Sequence, residues 1–212
     1  MQMVVLSTEE LRKELLEQAP EHRVDLVWVE DVHRFTDYAD ADIYMDLLFE
    51  AEPRRLALLK QLLPKTVIIN SVVDTLKETH PSFVRINGWP TFLGTEIVEG
   101  SYLDEQAREG AERAFSIFGK KVEWVPDAPG FITPRVVSAI INEAYYALSE
   151  DVSSAEEIDT AMKLGTAYPY GPFEWSEKIG VQNIVTLLDK LSRHEPRYKP
   201  CVLLEQETNK AI

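Results

Sequence analysis

Apolar and polar positions follow two different rhythms along this chain. Through about residue 125, short apolar runs alternate with helix-length stretches. Met3-Val4-Val5-Leu6 is the first run. Ser7 and Thr8 follow as N-cap candidates, with Glu9 and Glu10 in the first turn of a helix over 9–18. Residues 24–29 and 41–48 read as strands. Leu56, Leu59, Leu62 and Leu63 keep spacings of three and four, which predicts a helix that Pro64 stops. Thr66-Val67-Ile68-Ile69-Asn70 is a β-branched run of the kind a parallel sheet buries on both faces. Residues 83–87 and 121–125 are further strands, the second preceded by a helix over 103–118. This alternation predicts a parallel, doubly wound sheet.

Beyond Val125 the rhythm is helical. Pro126-Asp127-Ala128-Pro129-Gly130 is a turn cluster, so the expected organisation is a shortened Rossmann-like α/β domain over 1–125 and an all-helical domain over 126–212. Val136, Val137, Ile140, Ile141, Ala144, Tyr145 and Leu148 share a helix face. Ser154 with Glu157 forms a capping-box pair for a helix from Ala155 to about Lys163, ending at Gly165. Pro169, Gly171 and Pro172 make a stiff turn before short helices over 173–179 and 181–193. The stripe over 136–148 exceeds what one small domain needs, which predicts a homodimer through the helical half.

Composition narrows the chemistry. Acidic side chains number 36 against 22 basic ones, a net charge of −14, and a field of that sign disfavours nucleic-acid backbones. A small anionic ligand needs only a few local cations and remains open. A single cysteine, Cys201, and four scattered histidines provide neither a disulfide nor zinc spacing, so no metal site is expected. No apolar run approaches the roughly 18 residues of a membrane span, and the early acidic residues do not suit a signal peptide, so a cytoplasmic chain without membrane contact is expected. The first of the nine glycines is Gly88, so neither a G-x-G-x-x-G fingerprint nor a Walker loop can be written before it. Loops that cradle phosphates need backbone without a Cβ, and the first portion therefore lacks the usual means of holding a dinucleotide pyrophosphate.

A set of ordered blocks then carries a family resemblance. Asp127-Ala128-Pro129-Gly130-Phe131-Ile132, Arg135, Asn142-Glu143-Ala144, Ile158-Asp159, Met162-Lys163-Leu164-Gly165 and Tyr168-Pro169-Tyr170-Gly171-Pro172-Phe173-Glu174 together resemble the C-terminal domain of the 3-hydroxyacyl-CoA dehydrogenases. A looser pattern upstream, including Val98-Glu99-Gly100-Ser101, extends the resemblance over residues 40–190. The resemblance implies an NAD-binding Rossmann domain followed by a helical domain that dimerises and helps hold acyl-CoA. The implied reaction is hydride transfer between NAD and C3 of a 3-hydroxyacyl-CoA. It also implies four site groups: a histidine base, a glutamate that orients it, and a serine and an asparagine on the substrate oxygen.

Carried over residue by residue, the resemblance leaves Glu99 alone intact. Asn87 stands twelve residues before Glu99, where the histidine is implied, with Ile86 in the neighbouring register. Asp74 stands at the serine position, beside Thr75, and Pro134 stands before Arg135 where the asparagine is implied. Arg55 occupies the place of a cofactor-side lysine. The resemblance thus implies a degenerate relative with hydride transfer lost and no cofactor, where the family uses NAD.

Each candidate has a structural alternative. Glu99 is a retained catalytic group or a surface carboxylate at a strand end. Asn87-Gly88-Trp89-Pro90 is a reworked substrate contact, with Trp89 stacking on an adenine or covering an acyl chain, or a tight turn around a buried indole. Lys163 and the Lys120-Lys121 pair meet CoA phosphates or are solvated. Pro129-Gly130-Phe131 and Tyr170-Gly171-Pro172-Phe173 read as structural, Cys201 as a core residue, and His22, His33, His80 and His194 as surface or packing groups. Ser71 lacks a nucleophile elbow, which removes a hydrolase. The leading expectation is a non-catalytic protein of acyl-CoA metabolism that binds an acyl-CoA or acts through dimerisation. Its alternatives are a working NAD-dependent dehydrogenase with an atypical loop and Asp74 or Glu99 as base, and a different activity built on Asp74 and Glu99 as a carboxylate pair.

Overall fold

The computed structural model describes residues 1–17, 19 and 25–208, so the expected helix end at Gln18, the strand start at Val24, and His22 lie outside the described residues. The chain divides into two compact units, Met1–Phe131 and Ile132–Ile212.

The first unit is a seven-stranded sheet with helices on both faces. In chain order it comprises β1 (Gln2–Leu6), α1 (Glu9–Leu16), β2 (Asp25–Val29), a 3-10 helix (Val32–Tyr38), β3 (Ile43–Asp46), α2 (Pro53–Lys60), β4 (Thr66–Asn70), β5 (Val84–Ile86), β6 (Ile97–Ser101), α3 (Glu105–Ile117) and β7 (Lys121–Trp124). The strands run in the order β2-β1-β3-β4-β5-β6-β7. Alternation along β1 shows why both faces are covered. Met3 and Val5 join Leu11, Leu15, Ala111 and Phe115 in the core beneath α1 and α3. Val4 and Leu6 join Phe35, Leu59 and Leu62 on the opposite face. Each such fully buried aliphatic or aromatic side chain contributes about 1.5–3 kcal/mol. Helix α3 lies close enough to the sheet that a Cβ at Gly110 would come within 1.9 Å of Thr66 Oγ1.

One sequence expectation needs correction, and two further features are not legible in the sequence. The sheet is not wholly parallel, because β5 and β6 pair antiparallel, Arg85 opposite Ser101 and Ile86 opposite Gly100. Residues 87–96 link them without a crossover helix, and a parallel return requires one. Strand β6 itself is poorly legible because Gly100 interrupts it. That glycine is needed, since a Cβ there would lie 2.7 Å from Val122 Cγ1 and 2.9 Å from Trp124 Cζ3. The link from β2 to β3 is a 3-10 helix, too short to show a 3.6-residue period.

The second unit is helical: α4 (Thr133–Ser149), α5 (Ala155–Thr166), α6 (Pro172–Ile179), α7 (Val181–Ser192), a 3-10 turn (Pro196–Tyr198) and α8 (Val202–Thr208). Val137, Ile141, Ala144 and Tyr145 form the buried face of α4, while Val136 is 51% exposed. The Ser154–Glu157 capping box opens α5 as expected. The helix ends one residue later than Gly165, through Ala167 in the left-handed region at φ 57°. Buried Asn142 joins α4 to the segment before α8, donating to the Lys199 carbonyl at 3.0 Å and accepting from the Cys201 amide at 2.7 Å. Cys201 is buried.

Candidate functional site

In open α/β sheets, ligands sit outside the carboxyl ends of the strands, where the strand order reverses direction. Here that point lies between β1 and β3, because the chain steps outward to β2 and returns past β1. The turn from β1 to α1 is only Ser7 and Thr8. Thr8 Oγ1 accepts from the Leu11 amide at 3.3 Å, and Glu9 and Glu10 occupy the first helical turn. Hydrogen bonds from its own backbone amide and from Thr8 hold the Glu10 carboxyl below its ordinary value, so it is ionised at neutral pH. A dinucleotide pyrophosphate needs free helix amides, glycine and no neighbouring anion. These residues do not fit one.

One feature of a ribose site is nonetheless present. Glu30 directly follows β2 and borders a groove of about 390 Å³ with Thr8, Arg12 and Trp28. The Arg12 guanidinium lies 4.6 Å from the Trp28 ring centroid. In the sequence the only signal for Glu30 is its place immediately after a second strand.

The C-terminal end of β3 accounts for Arg55. Its Nε and a terminal nitrogen donate to the two carboxylate oxygens of Asp46, at 2.8 and 2.6 Å, and Asp46 is fully buried. The expected cofactor-side cation is therefore committed to this ion pair. Burial pushes the Asp46 pKa up, against the opposing pull of Arg55 and of the Leu48 amide.

Asn70, at the end of β4, clips the neighbouring strand ends together. Its Nδ2 donates to the Leu47 and Gly88 carbonyls at 3.0 and 3.1 Å, and its Oδ1 accepts from the Gly88 amide at 2.9 Å. Gly88 is obligatory, since a Cβ would lie 2.8 Å from Asn70 Cγ. That clip fixes the direction of the adjacent Asn87. Asn87 Nδ2 donates to Glu99 Oε2 at 3.2 Å, and the Asn87 amide donates to the Glu99 carbonyl at 2.9 Å. Glu99 is thus not at a strand end. It is the half-buried middle residue of β6. Trp89 is 6% exposed, so its indole belongs to the interior and offers no open face for stacking.

Asp74 faces a different partner. The buried Arg85 guanidinium feels the charges of Asp127, Glu78 and Asp74, although desolvation, the larger effect, lowers its pKa. Arg85 donates to Asp127 Oδ1 at 2.6 Å, to the Ser71 carbonyl at 2.9 Å and to the Ala128 carbonyl at 2.6 Å, and lies 4.1 Å from the Phe131 ring centroid. Much of the 127–131 motif therefore serves to enclose one arginine. Lys120, suggested as a CoA-phosphate contact, is 3% exposed and donates to the Thr95 carbonyl at 2.9 Å.

The motif in the second unit also has a structural explanation. Asp159 accepts from the Phe173 and Glu174 amides at 2.8 and 3.1 Å, capping α6 from outside that helix. A Cβ at Gly171 would come within 2.2 Å of Asp159 Cγ. Lys163 is ion-paired with Glu174 and so has a partner within its own unit. That hydrogen bond, followed by the one from the Gly171 amide, holds the Glu174 pKa below its ordinary value. Among the described residues no group of three His, Cys, Asp or Glu side chains could hold a metal ion, and no helix is long and apolar enough to cross a membrane.

Residues 130–211 match the family model described as 3-hydroxyacyl-CoA dehydrogenase, C-terminal domain. The chain is 50% identical over 90 residues to a 3-hydroxyadipyl-CoA dehydrogenase of Escherichia coli K12, covering 42% of this chain and 19% of that protein. It is 29% identical over 187 residues to a 3-hydroxybutyryl-CoA dehydrogenase of Bradyrhizobium diazoefficiens, covering 81% of this chain and 64% of the relative. The matches thus span less than two thirds of these relatives. Among solved structures, FadB2 of M. tuberculosis superposes with a TM-score of 0.78 at 16% identity, covering 99% of this chain and 94% of that one. The 3-hydroxybutyryl-CoA dehydrogenase of Escherichia coli gives 0.75 at 18% identity, covering 99% and 57%. At such identities these two structures speak for the fold: a Rossmann-type sheet followed by a helical domain. The helical unit thus matches the C-terminal domain of the 3-hydroxyacyl-CoA dehydrogenases, and the sheet unit shares the fold of these solved structures.

Proposed function

We propose that this chain is a protein of acyl-CoA metabolism that binds a CoA thioester and does not itself transfer hydride. The observation that carries this reading is the Asn87–Glu99 contact at 3.2 Å. A carboxamide in the place implied for a histidine donates hydrogen bonds but does not take up a proton near neutral pH. The β1–α1 turn supports the same reading, with Glu9 and Glu10 where a pyrophosphate would lie. Cytoplasmic residence and a homodimer through the helical unit, where Ile132 and Val136 are 57% and 51% exposed, belong to the same proposal. Nucleic-acid and membrane partners do not.

The alternative, an active dehydrogenase with an atypical loop, draws on Glu30 at the end of β2. Thermal shifts with NADH and acetoacetyl-CoA added separately distinguish the two. A ligand at one hundred times its dissociation constant stabilises by about 2.7 kcal/mol, a rise of several degrees in Tm. The thioester is expected to raise Tm and NADH to leave it unchanged. NADH stabilisation with turnover would establish the alternative, and silence to both ligands would remove acyl-CoA binding.

A further inference from the structure

A hollow of about 590 Å³ opens at the end of the sheet where the strands begin, bordered by Asp42, Lys65 and Ser82 and by Asp104, Gln106 and Arg113 around α3. Its two carboxylates are already engaged with backbone. Asp42 Oδ2 accepts from the Gln2 amide at 2.9 Å, and Asp104 Oδ1 accepts from the Gln106 amide at 2.9 Å as the N-cap of α3. The cations are in the opposite condition. Among the described residues neither Lys65 nor Arg113 forms an ion pair, whereas Arg34, Arg55, Arg85 and Arg108 each hold a carboxylate. In a chain of net charge −14, two such cations facing one concavity offset its two carboxylates and free the hollow of the negative excess carried by the rest of the chain.

We propose that this hollow is an anion site that takes inorganic phosphate or a phosphate monoester. Lys65 supplies a mobile point charge and Arg113 a planar fork suited to two phosphate oxygens. The Ser82 hydroxyl and the Gln106 carboxamide add neutral donors on the same rim. A hollow of this volume falls within the range of small-ligand pockets. The site lies at the other end of the strands from Asn87 and Glu99, and it stands independently of the thioester reading.

The test is a titration followed by amide resonances of the full chain, first with inorganic phosphate and then with glycerol phosphate, each against chloride at equal ionic strength. Saturable shifts at and around Lys65, Ser82 and Gln106 are expected, with half-saturation no weaker than about 10 mM. The double variant Lys65→Ala/Arg113→Ala is expected to weaken binding by about tenfold or more while retaining its ligand-free Tm, and Lys65→Arg to retain binding. Tighter binding of the monoester identifies an organic phosphate as the occupant, and equal binding identifies the inorganic ion. Shifts that do not saturate, or that persist in the double variant, overturn the site.

Discussion

Asn87 and Glu99 face each other beside the antiparallel pairing of β5 with β6, carboxamide nitrogen to carboxylate oxygen at 3.2 Å, with a backbone hydrogen bond of 2.9 Å alongside. Glu99 thus has an oriented nitrogen donor as its partner, and that partner has no titratable site.

The consequence is testable by substitution. In Asn87→His, the imidazole is expected beside the Glu99 carboxylate, which favours its charged form and raises its pKa above the ordinary value of about 6.5. The sign follows: the pair adds stability below about pH 6.5 and loses it as pH rises through the higher folded-state value. Proton NMR titration of the new imidazole measures this directly. Because position 87 is buried, which by itself lowers an imidazole pKa, the comparison is with Asn87→His/Glu99→Gln: an equal value in both variants would show that the two positions are not coupled. No NADH oxidation is expected from this variant, because the β1–α1 turn is unchanged.

The second unit depends on a cap supplied by another helix. Asp159→Ala removes the acceptor of two α6 amides, and a loss of about 1–2 kcal/mol is expected from urea denaturation. Gly171→Ala introduces a methyl into space held by the same carboxylate, and it is expected to cost at least as much. A neutral result for both would remove the structural explanation of this motif.

Arg85 is fully buried and its partner Asp127 nearly so. Arg85→Met leaves a carboxylate without its counter-ion in the interior, with an expected loss of about 3–5 kcal/mol. Pairing it with Asp127→Asn removes the orphaned charge, and the double variant is expected to recover part of that loss. Denaturation of the two single variants and the double variant gives the coupling energy, which additivity would set to zero.

His80 is expected to make the sheet unit acid-sensitive. Burial, and secondarily the charge of Lys60, lower its pKa, and its Nδ1 accepts from the Ser82 amide at 3.2 Å, which requires the neutral ring. A depressed folded-state value means that the contribution is complete above about pH 6.5 and is lost as pH falls through the folded-state value. Urea midpoints measured between about pH 7.5 and about pH 5 are expected to fall more steeply for the native chain than for His80→Gln. Equal slopes would assign the acid sensitivity elsewhere.

The local order of this fold is written in the sequence because it rests on short-range physics. The β-branched run before Ser71, the Thr8 and Ser154 caps and the leucine spacing of α2 each act within a few residues, and they place β4, α1, α5 and α2. The same locality reveals the missing glycines, and thus the turn that suits no pyrophosphate. The twelve-residue spacing that the resemblance implies also picks out Asn87 and Glu99, which the antiparallel β5–β6 pairing brings into contact. What the sequence leaves open are relations set by how separate elements pack against one another. Arg55 reads as a free cation until Asp46 is found nine residues upstream. Lys163 reads as a phosphate contact until the α5–α6 turn presents Glu174. Trp89 offers a stacking face until the interior closes over it. Whether a charged or aromatic side chain is spent or available depends on which neighbour the fold brings to it, and only the tertiary structure decides that.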